Sequence, residues 1–218
     1  AGPVVLREME NPHGVESKPD SPIFVPVRVF LLAPESPARD VLRALVALGI
    51  APVVARSTGD TSADGQIQYL RVATRGDVRD PMDLRWSRKA LRAAVRDTGP
   101  SLLHIVGDPW TPTAEVGAAA ARDLKVPYVL VGTSSLGGPT SFTARWQARR
   151  VRDGAGGFAG ISRPALDHLI GGSTPLPTAV IPPSGLVIPP TTPPRLDPPP
   201  VVFGVIGRLT RERGVDLL

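Results

Sequence analysis

A chain of 218 residues with 42% hydrophobic and 21% charged side chains holds enough apolar material for a substantial core. It has no cysteine, which excludes disulfides and thiolate metal sites, and no apolar run approaching the roughly 18–20 residues that cross a bilayer. The net charge of +5 is carried by arginine, since the only lysines are Lys18, Lys89 and Lys125; scattered cations and 5% aromatics offer no platform for nucleic acid.

Residues 1–26 hold five prolines and no periodicity, and read as a loosely held arm. Their start, "AGPVVLREMENPHG", lacks the basic head and long apolar stretch of a signal peptide, so a cytoplasmic location is expected. From Val27 a rhythm begins. "VRVFLLA" is an apolar run of the buried-strand kind. "SPARDVLRALVALG" predicts a helix with Ser36 as N-cap, Pro37 at the first position and Gly49 as terminator, its inner face carrying Val41, Leu42, Leu45 and Leu48. "APVVAR" and "QIQYLRVA" predict strands on either side of a Gly/Asp/Ser loop. A helix is expected from Leu84 to Asp97, stopped by Gly99-Pro100, and "SLLHIV" as the next strand.

The helix "TPTAEVGAAAARDL" has Thr111 as cap and Pro112 first, and "PYVLV" follows as a strand. "SFTARWQARRVR" predicts an arginine-rich helix and "GGFAGI" a weaker strand. "SRPALDHLIGG" predicts a helix capped by Ser162 with Pro164 in its first turn, and "TAVIP" closes the series. Strands and helices alternating in this way predict an α/β, Rossmann-like parallel sheet with helices on both faces over residues 27–183. Eleven of the 26 prolines lie between Pro175 and Pro200, so 184–200 reads as a stiff interdomain linker. "VVFGVIGRLTRERGVDLL" (201–218) then reads as the first strand and loop of a second, truncated α/β domain.

In such a sheet ligands bind at the carboxyl ends of the strands, which selects the loops "APESP", "VGDPWTP", "VGTSSLGGP", "GISRP" and "GRLTRERG". "GAGGFA" (Gly154 to Ala159) matches the dinucleotide fingerprint in letters only, because it precedes a strand and opens no helix. "GTSSLG" is not a nucleophile elbow. His13, His104 and His168 share no ligand spacing; His104 reads as a core histidine, and no metal or cofactor is expected. In "GRLTRERG", Arg208 and Arg213 flank a turn at a helix start, where guanidinium forks and backbone N–H groups favour a diphosphate. A merely solvated surface loop is the alternative.

The sequence resembles the family-4-like, retaining glycosyltransferases of the GT-B fold. The resemblance runs through "GPSLLHIVGDPWTPTAEVGAAAARDLKVPYVLVGTSS", "GGFAGISRPALDHLI", "TAVIPPSGL" and, most specifically, "GRLTRERGVDLL", covering roughly Val27 to Leu218. It implies a first domain that holds the acceptor and a second that holds a nucleotide-sugar donor, with Gly207, Arg208 and Arg213 at the donor diphosphate. The departing phosphate takes the acceptor's proton, so no protein base is implied. Three departures from the family stand out: "ESPARD" replaces its glycine-rich first loop, Gly132 stands at or near its histidine, and the donor-binding acidic pair of its second domain would fall beyond residue 218. The chain by itself is expected to be inactive.

On the acceptor side Glu35, Asp108, Trp110 and Ser134 are the candidates. Asp108 would accept a sugar hydroxyl, and Trp110 would offer its apolar face to a pyranose. The alternatives are a helix-capping Asp108 and a packed Trp110. Arg145, Arg149 and Arg152 share a helix face with Phe142 and Trp146 nearby, a mixture that can rest on anionic lipid. A solvated arginine face over a core-packed Trp146 is the other reading. Two functions follow. One is transfer of a sugar from a nucleotide-sugar to a saccharide or lipid-linked acceptor, with peripheral contact at the inner face of a membrane. The other is a non-catalytic carbohydrate-binding or assembly module. A nucleotide-sugar epimerase of the same fold would need catalytic acids that this sequence does not place.

Overall fold

In chain order the first elements are β1 (Val27–Leu32), α1 (Arg39–Ala47), β2 (Ile50–Arg56), β3 (Ser62–Asp64), β4 (Ile67–Arg71), β5 (Thr74–Arg75) and β6 (Arg85–Trp86). There follow α2 (Arg88–Thr98), β7 (Leu102–Val106), α3 (Pro112–Leu124), β8 (Tyr128–Gly132), α4 (Phe142–Asp153), β9 (Gly157–Gly160), α5 (Arg163–Ile170) and β10 (Thr178–Val180). The structure, a computed structural model, describes residues 26–134, 138–139, 141–172 and 174–182. All belong to the first of the two units into which the chain divides, Ala1–Ser184. The expected linker at 184–200 and the domain start at 201–218 lie outside the described residues.

Eight strands form one sheet in the order β10-β9-β8-β7-β1-β2-β4-β3. All neighbours run parallel except β3, which is antiparallel to β4. From β1 the chain builds outward through β2 and β4, crosses back through α2, and resumes at β7 on the other side of β1. This is a doubly wound, Rossmann-like α/β fold, whose order reverses between β1 and β7. One face of the sheet packs Val29, Leu31, Val54 and Tyr69 against Leu42 of α1. The other packs Phe30, Leu32, Ile105 and Leu130 against the alanines of α3. Tyr128 reaches α4 on that second face, its hydroxyl donating to Val151 O (2.6 Å), and burial raises its pKa.

Four helices start on a hydroxyl that accepts the N–H three residues on: Ser87 from Ala90, Thr111 from Ala114, Ser141 from Ala144, and Ser162 from Ala165. Each such cap stabilises by about 1 kcal/mol. Thr111 and Ser162 are the caps the sequence predicts, with Pro112 and Pro164 in the first turns. Ser36 is not. Ala38 stays extended (φ −58°, ψ 142°), so the N–H groups that Ser36 would cap are not yet helical, and α1 opens at Arg39 without a side-chain cap. Leu48 also departs from expectation, because it ends α1 at 74% exposure while Leu42, Leu45 and Val46 face the sheet. The helix expected from Leu84 begins only at Arg88. Leu84 and Trp86 are buried ahead of it, and Trp86 Nε1–H donates to Thr113 Oγ1 (3.1 Å).

Gly132 and Gly160 are register partners at the carboxyl ends of β8 and β9. A Cβ on Gly160 would collide with Leu166 N and lie 2.7 Å from its Cα. One on Gly132 would lie 3.1 Å from Leu169 Cβ and 3.2 Å from Ala165 O. Helix α5 therefore rests on the strand backbones, and any side chain at 132 would meet it. That is a physical reason for a glycine at this position.

Gly160→Ala should destabilise the chain by about 2–3 kcal/mol in urea denaturation, because the obstacle is backbone rather than a movable side-chain end. Gly132→Ala should cost less. His104 on β7 is held neutral, its pKa lowered by burial from the ordinary 6.5. The unfolded chain binds that proton more readily, so its contribution is whole above pH 6.5 and is lost as the pH falls below it. Thermal melts of His104→Gln across this range should show a flatter dependence than wild type.

Candidate functional site

The reversal of strand order sets the carboxyl ends of β1 and β7 side by side, and their loops diverge there. The β7 loop is closed tightly. Gly107 has φ +152°, which L side chains rarely adopt, and a Cβ would sit 2.8 Å from Thr111 Oγ1. Its N–H donates to Val131 O (3.0 Å). The Thr111 hydroxyl donates to Asp108 O (2.8 Å), as does the Thr111 backbone N–H (2.8 Å), and the same hydroxyl caps α3.

Within this turn Asp108 is 3% exposed. Its Oδ1 accepts from the N–H groups of Thr133 (3.3 Å) and Ser134 (3.5 Å), which follow β8. The carboxylate thus clasps the β8 loop to the β7 loop. Both contacts are long for N–H···O bonds, so the clasp works through the two amides together rather than through one short bond.

Trp110, next along the loop, is partly buried and meets His168 of α5 edge to face, with ring centroids 5.2 Å apart and planes at 76°. His168 Nε2 is buried and has no hydrogen-bond partner among the described residues. Nothing in the sequence announces this pairing, since the two residues are 58 positions apart (168 minus 110) and share no motif. Glu35 is exposed beyond the carboxyl end of β1. The structure thus joins Asp108 to the backbone of Ser134 and Trp110 to His168, and leaves Glu35 apart at the same sheet edge. Gly207, Arg208 and Arg213 lie outside the described residues.

The fingerprint-like "GAGGFA" caps α4 at Gly154 and becomes β9 from Gly157, so it precedes its strand. Among the described residues no group of three or more His, Asp or Glu could hold a metal ion, and no helix is long and apolar enough to cross a membrane. Two depressions, neither lined by Asp108 or Trp110, lie along α5 from Arg163 to Ile170 (about 470 Å³) and between the ends of α4 and α5 (about 310 Å³). Their charges are largely self-paired, Arg163 with Asp167 (3.0 Å) in one and Arg149 with Asp153 (3.6 Å) in the other.

No family model matches the chain, and no curated protein does. Solved structures do align with it. A Listeria monocytogenes protein assigned as a UDP-N-acetylglucosamine 2-epimerase shares 13% identity at a TM-score of 0.45, over 71% of this chain and 44% of its own. The Staphylococcus aureus MnaA–UDP structure shares 17% identity at 0.46, over 70% and 43%. A sucrose-phosphate synthase structure from Thermosynechococcus elongatus shares 13% at 0.46, over 72% and 88%. Alignments this distant carry nothing about activity. This chain spans under half the length of the first and second of these three structures.

Asp108→Ala should cost about 1–3 kcal/mol in denaturant unfolding, by leaving the Thr133 and Ser134 N–H groups without their acceptor. Asp108→Asn, which keeps an oxygen there, should stay close to wild type. Equal losses in the two variants would mean that charge, not the clasp, matters.

Proposed function

We propose that this chain forms the acceptor-side domain of a GT-B-type nucleotide-sugar enzyme, a retaining glycosyltransferase acting on a saccharide or lipid-linked acceptor. The observation that carries the reading is the Asp108 clasp at the carboxyl edge of the sheet. It makes one lip of the β7 and β8 loops, with Trp110 and Ser134 on it and Glu35 beyond the neighbouring strand. In this reading Trp110 stacks on a pyranose, Ser134 and Glu35 meet its hydroxyls, and Asp108 holds the lip in shape. A carboxylate turned onto backbone amides is no general base. The proposed chemistry asks for none, because the departing diphosphate takes the acceptor's proton.

The donor half of the proposal rests on the sequence resemblance at Gly207, Arg208 and Arg213. Guanidinium forks and backbone amides there would stabilise the charge that builds on the leaving diphosphate, most strongly in the transition state. No metal or organic cofactor enters this scheme. Peripheral contact with a membrane belongs to the same reading, since a lipid-linked acceptor has to be met at its surface. The second reading, a carbohydrate-binding module without chemistry, is favoured by Gly132 standing at or near the resembling family's histidine and by "ESPARD" in place of its glycine-rich loop.

Titration of the ¹⁵N-labelled chain with a panel of mono- and disaccharides should move the Trp110 indole and Ser134 amide signals. Trp110→Ala should weaken that binding about tenfold, the ~1.4 kcal/mol scale of one aromatic contact. If no saccharide perturbs either signal, the acceptor site is not here. Saccharide binding without transfer from any nucleotide-sugar by a chain that includes the Arg208 loop would favour the binding module.

A further inference from the structure

Arginine ends two neighbouring strands on the β2 side of the sheet. Arg56 closes β2, Arg71 closes β4, and the two are register partners. Neighbouring strands lie about 4.8 Å apart, and side chains alternate between the two faces of a sheet. The arginines share the face packed on α1, since Val54 and Tyr69, two residues before each, belong to its core. Two guanidinium groups thus leave the sheet side by side, and like charges so placed repel.

Arg56 is held in place. Its guanidinium lies 3.6 Å from the centroid of the buried Tyr69 ring, and the residue itself is half-buried. Stacking of this kind fixes the plane of the fork and leaves its N–H edge open. The end of β4 is fixed too, because Arg71 N–H donates to Thr61 Oγ1 (3.2 Å) and Val72 N–H to Arg56 O (2.9 Å). The carboxylates on this face are engaged elsewhere, Asp64 with Arg39 (3.2 Å) and Asp40 with Arg43 (3.9 Å). Asp60 is exposed in the loop after β2 and pairs with neither arginine. Among the described residues Arg56 and Arg71 form no ion pair at all.

We propose that Arg56 and Arg71 bind the phosphate monoester group of a small ligand. Such a group carries nearly two negative charges at neutral pH, and its oxygens can engage both forks at once. A carboxylate brings a single charge and one pair of oxygens, enough for one fork. Tyr69 sets Arg56 before the ligand arrives, and the ligand's charge relieves the repulsion between the arginines. The site stands on β2 and β4 and is independent of the saccharide reading.

The test is titration of the ¹⁵N-labelled full chain at low salt, observing the arginine Nε–H signals. Inorganic phosphate and glucose 6-phosphate should shift those of Arg56 and Arg71, whereas glucose should shift neither. Glucuronate, a sugar carrying a carboxylate instead, should bind about tenfold more weakly than glucose 6-phosphate, and added salt should weaken both. Arg56→Gln and Arg71→Gln should each lower phosphate affinity about tenfold, the scale of one charge-assisted hydrogen bond. Arg56→Lys keeps the charge without the stacked fork and should lose most of the affinity as well. Arg71→Gln should also raise the thermal midpoint of the ligand-free chain by removing the repulsion, while phosphate should raise that of the wild type. Phosphate that leaves both signals unmoved, or binding that survives both glutamine variants, overturns the proposal. So does glucuronate binding as tightly as the phosphate ester, which would make the pair a general anion patch.

Discussion

At the ends of β8 and β9 two glycines stand level with each other, and a helix lies straight across them. The closeness of α5 to Gly132 and Gly160 sets the geometry of everything nearby. Without side chains at those positions, Leu166 and Leu169 seat directly on the sheet and supply the apolar contact the glycines forgo. The seating of α5 brings His168 to the rim, where it supports one edge of Trp110. A helix held farther off by a Cβ would leave the indole without that neighbour.

A second constraint works at right angles to the first. The β7 and β8 strands are already bonded to each other, but strands alone do not dictate where their loops go. Asp108 does so by spending its carboxylate on the backbone of the adjacent loop. Few residue types suit that place, since the acceptor must be short, buried and strong enough to hold two N–H groups. The result is a division of labour along five residues of chain. Gly107 and Thr111 close the turn, Asp108 binds it sideways, and Trp110 is left facing partly outward.

Much of this architecture could be read from the residues. Alternation of apolar runs with capped, amphipathic segments gave the parallel sheet, and hydroxyl–Pro pairs at Thr111 and Ser162 marked true helix starts. The failures are equally physical. Ser36 has the composition of a cap, but Ala38 keeps an extended backbone, and no local rule distinguishes the two outcomes. Leu84 and Trp86 look helical because apolar spacing alone does not separate a helix turn from a buried approach to one. Strands of two or three residues, such as β3, β5 and β6, are too short to show any period. At the site the reach was narrower. The loops were legible because sheet topology dictates them, whereas the Trp110–His168 contact and the backbone partners of Asp108 arise from tertiary packing over long separations. Whether Trp146 packs inward was left open for the same reason, since helical spacing says which residues share a stripe but not which stripe meets the core; it is exposed.

The three-residue β3 has its own consequence. It runs against the grain of the sheet, and its Asp64 is ion-paired to Arg39 of α1 (3.2 Å). A parallel sheet ending on β4 would present a row of open amides and carbonyls to any passing chain. The reversed, charge-pinned strand finishes that margin with a segment too brief to template another. Such an edge is a selvedge, offering a neighbouring chain little backbone to pair with.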